Sequence, residues 1–186
     1  MIKYFELISF PSRALDKLND KEPSSLSLYL ISTVAFLGLS LPQLISKSVN
    51  STNGLLTLMS YLIVIPLMYY PVTYISGYCY YIVAKGFKGI SNFKEMRNLV
   101  AFSFWPFLVQ FVISIPFILV GIIKNDVGII THDNYLSYLI LWLLSFRILM
   151  VGIAKYNKFN WTITIITWII ATLPLTGLVY LRFLLK

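Results

Sequence analysis

The sequence predicts an all-α integral membrane protein, a bundle of five transmembrane helices behind an N-terminal amphipathic interfacial segment. Three observations lead there. Of the 186 residues, 58% are hydrophobic and 12% charged, whereas about one-quarter of a soluble domain is charged. Apolar runs long enough to cross a bilayer, about 20 residues each, occur five times. They lie at roughly 25–45, 55–84, 99–123, 135–154 and 162–183. The intervals between them hold 7 to 14 residues, too few for a soluble core.

Charge and composition narrow the chemistry. Fifteen Lys and Arg against seven Asp and Glu leave a net +8, which in so apolar a chain reads as loops facing anionic lipid and disfavours a nucleic-acid role. One cysteine, Cys79, and one histidine, His132, provide neither an internal disulfide nor a transition-metal cluster. No cofactor is expected.

Residues 1–24 form the first element. Glu6, Asp16, Asp20 and the Phe10-Pro11 step interrupt any apolar stretch, so the segment is not read as a secretory signal. Ile2, Phe5 and Ile8, then Ala14, Leu15 and Leu18, recur at helical spacing among charged residues. That pattern predicts two short amphipathic helices on the bilayer surface, with Ser12 capping the second; a tail that folds only against the loops is the alternative. Glu22-Pro23 separates them from the first span.

The second span is expected to be long and broken, with Pro66 and Pro71 five positions apart and Gly77 beyond. Each proline removes a backbone donor, and the freed carbonyls with Tyr69, Tyr70 and Tyr74 would line a polar cleft. A kinked packing helix with an interfacial tyrosine belt, including Tyr78, Tyr80 and Tyr81, is the other reading. In the third span Gln110 lies between Pro106 and Pro116, as interhelical glue or as part of a cavity. Arg147 is the charge well inside the fourth span. It either snorkels toward Lys155, about 12 Å along the helix, or contacts a lipid phosphate or partner carbonyls. Pro174 is expected to kink the fifth span.

Basic residues set the orientation. Eleven lie in the N-terminal segment, the second loop and the fourth region, against four on the other side (Lys47, Lys124, Arg182 and Lys186). The N-terminus is therefore expected in the cytoplasm and the C-terminus outside. No internal repeat is evident, and the sequons at Asn50 and Asn160 are short enough to arise by chance. Catalytic groups are sparse: His132-Asp133 lacks a second acid or base, and Gly86-Phe87-Lys88-Gly89 is too short for a phosphate-cradling loop. An enzyme is not expected.

The stretch Tyr81-Ile82-Val83-Ala84-Lys85-Gly86-Phe87-Lys88-Gly89-Ile90-Ser91-Asn92-Phe93-Lys94-Glu95, with Ala101-Phe102-Ser103-Phe104-Trp105-Pro106 after it, resembles the Yip family. Phe10-Pro11-Ser12-Arg13-Ala14-Leu15 and Leu141-Trp142 extend the likeness over nearly the whole chain. Members are five-span proteins named for interaction with Ypt/Rab GTPases. The resemblance implies a cytosolic N-terminus, a lumenal or outer C-terminus and a role in organising membranes or assembling other membrane proteins. The Asp-Leu-x-Gly-Pro element of eukaryotic members is missing here, so GTPase binding is not carried over. The short N-terminal region looks like the prokaryotic branch, some of whose members resemble accessory partners of export machinery, which implies a bacterial plasma membrane.

In the second loop, Gly86 and Gly89 are expected to allow a tight exit from the span. Phe87 and Phe93 would dip into the interface, and Lys85, Lys88, Lys94 and Arg97 would meet phosphates or an acidic partner; a plain positive-inside loop is the alternative. Two functions follow. One is a non-enzymatic adaptor that contacts lipids and another membrane protein. The other is a small transporter or lipid-handling protein that uses the broken second span, Gln110 and Arg147, for which a homo-oligomer would supply the pathway one chain lacks.

Overall fold

The computed structural model describes residues 2–20, 29–45 in part, 54–124, 126–130 and 135–184, with side chains placed for most of them. Every regular element among the described residues is a helix: α1 (Ile2–Ser9), α2 (Pro11–Asp20), α3 (Gly54–Gly86), α4 (Phe93–Ser103), α5 (Pro106–Lys124), α6 (Val127–Ile130), α7 (Tyr135–Asn157) and α8 (Trp161–Leu184). The described residues of 29–45 are helical as well. The sequons' Asn50 and the His132-Asp133 pair lie outside the described residues.

The exposed faces are apolar, and small and hydroxylated residues are buried beside large apolar ones such as Phe102, Phe107 and Ile153. Ile63, Leu67 and Ile75 on α3, Phe117 and Ile123 on α5, Leu139 and Leu143 on α7, and Ile169 and Leu173 on α8 are all exposed. Thr73, Ser76, Ser114, Ser145, Thr164, Thr167 and Ala171 are buried. Water would drive the opposite arrangement. In hydrocarbon, outward apolar side chains lose nothing, and helices associate through small and hydroxylated residues. Two helical stretches, Phe93–Lys124 (32 residues) and Ser137–Asn157 (21 residues), are long and apolar enough to cross a membrane. Together these features define an all-helical membrane protein.

Several element boundaries differ from expectation. α3, expected to be broken, runs helical through Pro66 and Pro71, as α5 does through Pro116 and the single helix α8 through Pro174. A proline costs one donor, and inside a membrane bundle neighbouring groups can compensate for it, so it need not end the helix. Pro106 does mark a break: Phe104 and Trp105 form a turn, and the predicted third span is divided between α4 and α5. Helical bonding resumes at once, with the Phe107 and Leu108 amides donating to the Phe104 and Trp105 carbonyls at 3.0 Å each. α2 starts at Pro11, not after a Ser12 cap, because a proline with φ already near its helical value suits the first helical position.

The chain divides into two compact units. One comprises residues 1–23, 72–103 and 146–186, the other 24–71 and 104–145. In the second unit Ala35, Phe107 and Leu141 form the core, with Phe104, Leu108 and Val109 around it. The Phe107 ring meets Trp142 edge-on at 5.3 Å. Gly38 packs so closely that a Cβ there would stand 2.7 Å from the Phe107 carbonyl oxygen.

In the first unit α4 is the central element. Met96, Asn98 and every residue from Leu99 to Ser103 are buried, the all-round burial of a helix enclosed by others. Two glycines let its neighbours close in. A Cβ on Gly77 of α3 would lie 2.7 Å from the Arg97 Cα, and one on Gly152 of α7 would collide with the Leu99 side chain. α1 and α2 belong to the same unit, and Leu7, Ala14 and Leu15 are at most 1% exposed. Their inner face is thus covered by protein, and Leu7, absent from the expected apolar set, is at its centre. Phe10, at the elbow between the helices, is 67% exposed.

Candidate functional site

The second-loop residues singled out from the sequence lie at one helix-to-helix corner of the first unit, α3–α4, which meets a second corner, α7–α8, through Asn157. The α3–α4 corner begins where α3 ends in paired reverse bonds: the Gly89 amide donates to the Ala84 carbonyl at 2.8 Å and the Lys88 amide to the Lys85 carbonyl at 3.0 Å. This is a Schellman cap, whose turning residue must be left-handed. The residue in that position is Lys88, with φ 63°, and among the described residues no glycine has positive φ. The expectation that Gly86 and Gly89 supply the turn is therefore corrected. Gly86 faces open space, whereas a Cβ on Gly89 would collide with the Asn157 side chain and lie 2.8 Å from the Ala84 oxygen. Gly89 is needed for close approach, not for its dihedral freedom.

The α7–α8 corner repeats the device. The Phe159 amide donates to the Ala154 carbonyl at 2.9 Å and the Lys158 amide to the Lys155 carbonyl at 3.3 Å, with Lys158 at φ 55°. Each following helix then opens on an asparagine. The Asn92 side chain accepts the Glu95 amide at 2.8 Å, and Glu95 reaches back to the Asn92 amide at 2.8 Å, a complete capping box. The Asn160 side chain accepts the Ile163 amide at 2.9 Å. The shared Ala-Lys-x-x-Lys, followed by Asn and an aromatic residue, is present in the sequence at 84–93 and 154–161. It is too short and too differently spaced to register as a repeat.

Asn157 joins the corners. Buried to 3% exposure, it accepts the Ser91 amide at 3.2 Å and donates to the Ile153 carbonyl at 3.1 Å. Lys88 and Lys158 each stand one position from the Gly89–Asn157 contact, and both are exposed. Lys85, also exposed, donates to the Gly89 carbonyl at 3.1 Å. Lys94 is exposed on the first turn of α4. Phe87, Ile90 and Trp161 add exposed apolar surface to the corners.

Other predicted site residues turn inward. Arg97 donates to the Tyr74 hydroxyl at 2.6 Å and to the Asn98 side chain at 3.2 Å; it braces α4 against α3 and does not face outward. Tyr74 therefore meets a guanidinium where a polar cleft was expected. Phe93, expected in the interface, packs on α3 with ring centroids 5.8, 6.0 and 6.3 Å from Tyr74, Tyr78 and Tyr81. The side chains of Pro66, Tyr69 and Tyr70 lie outside the described residues. In the second unit Gln110 accepts the Ser137 hydroxyl at 3.4 Å, and its backbone carbonyl takes the Ser114 hydroxyl at 2.8 Å, so it ties α5 to α7.

Arg147 donates to the Ile8 and Ser9 carbonyls at 3.2 and 3.4 Å, the last carbonyls of α1, which have no partner within the helix. Lys155 bonds the Ser12 carbonyl and hydroxyl and pairs with Asp16 at 2.5 Å. Glu6 and Lys17 close the elbow with an ion pair of 2.6 Å. The N-terminal segment is thus tied to α7 by two cations of that helix. Among the described residues no cluster of histidine, cysteine and carboxylate groups could hold a metal ion.

An all-helical membrane protein with basic, interlocked corners is the class these features define. Residues 5–182 match the Yip1 domain, and the chain belongs to that family. Neither the curated proteins nor the solved structures include a match to this chain.

Proposed function

We propose that the protein is a non-enzymatic membrane adaptor that presents its interlocked corners to an acidic segment of another membrane protein. The observation that carries this reading is the pair of left-handed lysines, Lys88 and Lys158, flanking the Asn157 latch. A left-handed non-glycine residue costs roughly 1 kcal/mol relative to glycine. Lysine at both corners is intelligible if its charge is used. Because the frame beneath is latched, the charges of Lys85, Lys88 and Lys158 are displayed with little loss of backbone freedom on binding.

In this proposal the chain crosses the membrane five times, the corners and the N-terminus face the cytoplasm, and the C-terminus lies outside. The excess of basic residues on the corner side supports that orientation. The setting is a bacterial plasma membrane, with the protein accessory to an export system. The transporter reading drew on a broken second span. α3 is continuous, and Gln110 and Arg147 are both engaged by neighbouring groups, so the adaptor is the better-supported function.

The test is reversal of Lys85, Lys88, Lys94 and Lys158 to Glu, followed by gentle purification and identification of co-purifying proteins. Loss of a stoichiometric partner with normal membrane insertion is the expected result. Unchanged recovery would sink the assignment.

A further inference from the structure

The elbow of α1 and α2 forms with α7 an open surface cleft of about 400 Å³, lined among others by Phe10, Ser12, Arg13, Asp16, Arg147 and Val151. Its size falls within the roughly 300–1,000 Å³ of small-ligand sites. Two guanidinium groups border it. Arg147 spends N–H groups on the Ile8 and Ser9 carbonyls and keeps the rest of its five donors. Arg13 is exposed, and among the described residues it has no acceptor. Asp16 does not cancel this charge, because it is already paired with Lys155. The Ser12 hydroxyl accepts from Lys155 at 3.3 Å, which leaves its own hydrogen to donate. Beside these donors stand the exposed Phe10 ring, Pro11 and Val151.

We propose that this cleft binds the phosphate of an anionic phospholipid. Arg13 and Arg147 would grip the phosphate oxygens, with a hydrogen bond from Ser12, while Phe10 and Val151 meet the first part of the acyl chains. Arginine's planar fork suits a phosphate better than a point charge does. Depth favours a lipid over a soluble acidic peptide. Arg147 precedes Lys155 by eight residues, about 12 Å, on a helix apolar enough to cross the membrane. A headgroup phosphate with its chains below meets that level directly, whereas a soluble peptide would have to enter the bilayer surface. None of the corner residues lines the cleft, so it stands whether or not the corners bind a protein.

The experiment is titration of the purified full chain in detergent with phosphatidylglycerol and, separately, phosphatidylcholine, read by native mass spectrometry. Wild type, Arg13→Gln, Arg13→Lys and Lys124→Gln are compared after matching melting temperatures. Arg13→Gln should weaken phosphatidylglycerol binding about tenfold, the scale of one lost charge-assisted hydrogen bond. Arg13→Lys should fall between, and Lys124→Gln, at an exposed lysine outside both the cleft and the corners, should bind as wild type does. Equal losses in Arg13→Gln and Lys124→Gln would overturn the site in favour of diffuse surface charge. Equal binding of the two lipids would overturn the phosphate specificity. Glycerol phosphate or inorganic phosphate at millimolar concentration should leave the lipid bound; displacement by either would overturn the lipid in favour of a soluble phosphate ligand.

Discussion

The side-chain carbonyl of Asn157 accepts the backbone amide of Ser91 at 3.2 Å, across 66 positions of sequence. The bond ties the loop before α4 to the last turn of α7. Removing the acceptor leaves a buried amide without a partner, at a cost of about 1–3 kcal/mol. Asn157→Ala should therefore lower the melting temperature in detergent and raise hydrogen exchange at the loop before α4. An unchanged exchange pattern would show that the latch is not needed.

The Ser91 side chain makes the opposite prediction. Its hydroxyl is buried and has no hydrogen-bond partner among the described residues. Ser91→Ala should be neutral or stabilising, because a buried unsatisfied group is removed while the amide is kept. A clear loss of stability would reveal a partner for the hydroxyl.

The two glycines of the α3–α4 corner should part company. Gly86 sits in open space at a helical position, so Gly86→Ala should stabilise by about 0.4–1 kcal/mol. Gly89→Ala pushes a methyl group into Asn157 and the Ala84 carbonyl and should destabilise by roughly 1–3 kcal/mol. Thermal melts of the two variants side by side decide the matter, and equal effects would refute the distinction.

Arg147 should control the N-terminal segment. With its guanidinium gone, the last carbonyls of α1 lose their partner, and among the described residues the remaining polar ties of the segment to α7 are those of Lys155 to α2. Arg147→Ala is expected to speed trypsin cleavage at Arg13 and Lys17, while cleavage elsewhere stays at the wild-type rate. Protection equal to wild type would mean that the apolar contacts of Leu7, Ala14 and Leu15 suffice.

The α4–α7 crossing is open to a double-mutant cycle. Gly152→Ala brings a Cβ against the Leu99 side chain, and Leu99→Ala should relieve that clash while leaving a cavity of its own. The pair should couple by about 0.5–3 kcal/mol in thermal melts. Strict additivity would deny the contact.

Some of the candidate site was legible and some was not. Asn92 followed three positions later by Glu95 is a capping-box signature that sequence alone carries. The basic character of Lys85, Lys88 and Lys94 was equally plain. Arg97 was indistinguishable from them in a charge count. Only the approach of α3 at Gly77 places it against Tyr74. Gly86 and Gly89 look alike in sequence, and what separates them is Asn157, 68 positions beyond Gly89.

By itself the sequence determined the membrane class and the all-helical architecture. These are sums over short windows, set by the hydropathy and propensity of neighbouring residues. The structure assigned partners. It chose which lysines take the left-handed turns, gave Arg147 the carbonyls of α1, and set Arg13 at the rim of the elbow cleft. Such contacts join residues as many as 143 positions apart, and they depend on how helices pack, which no local window contains.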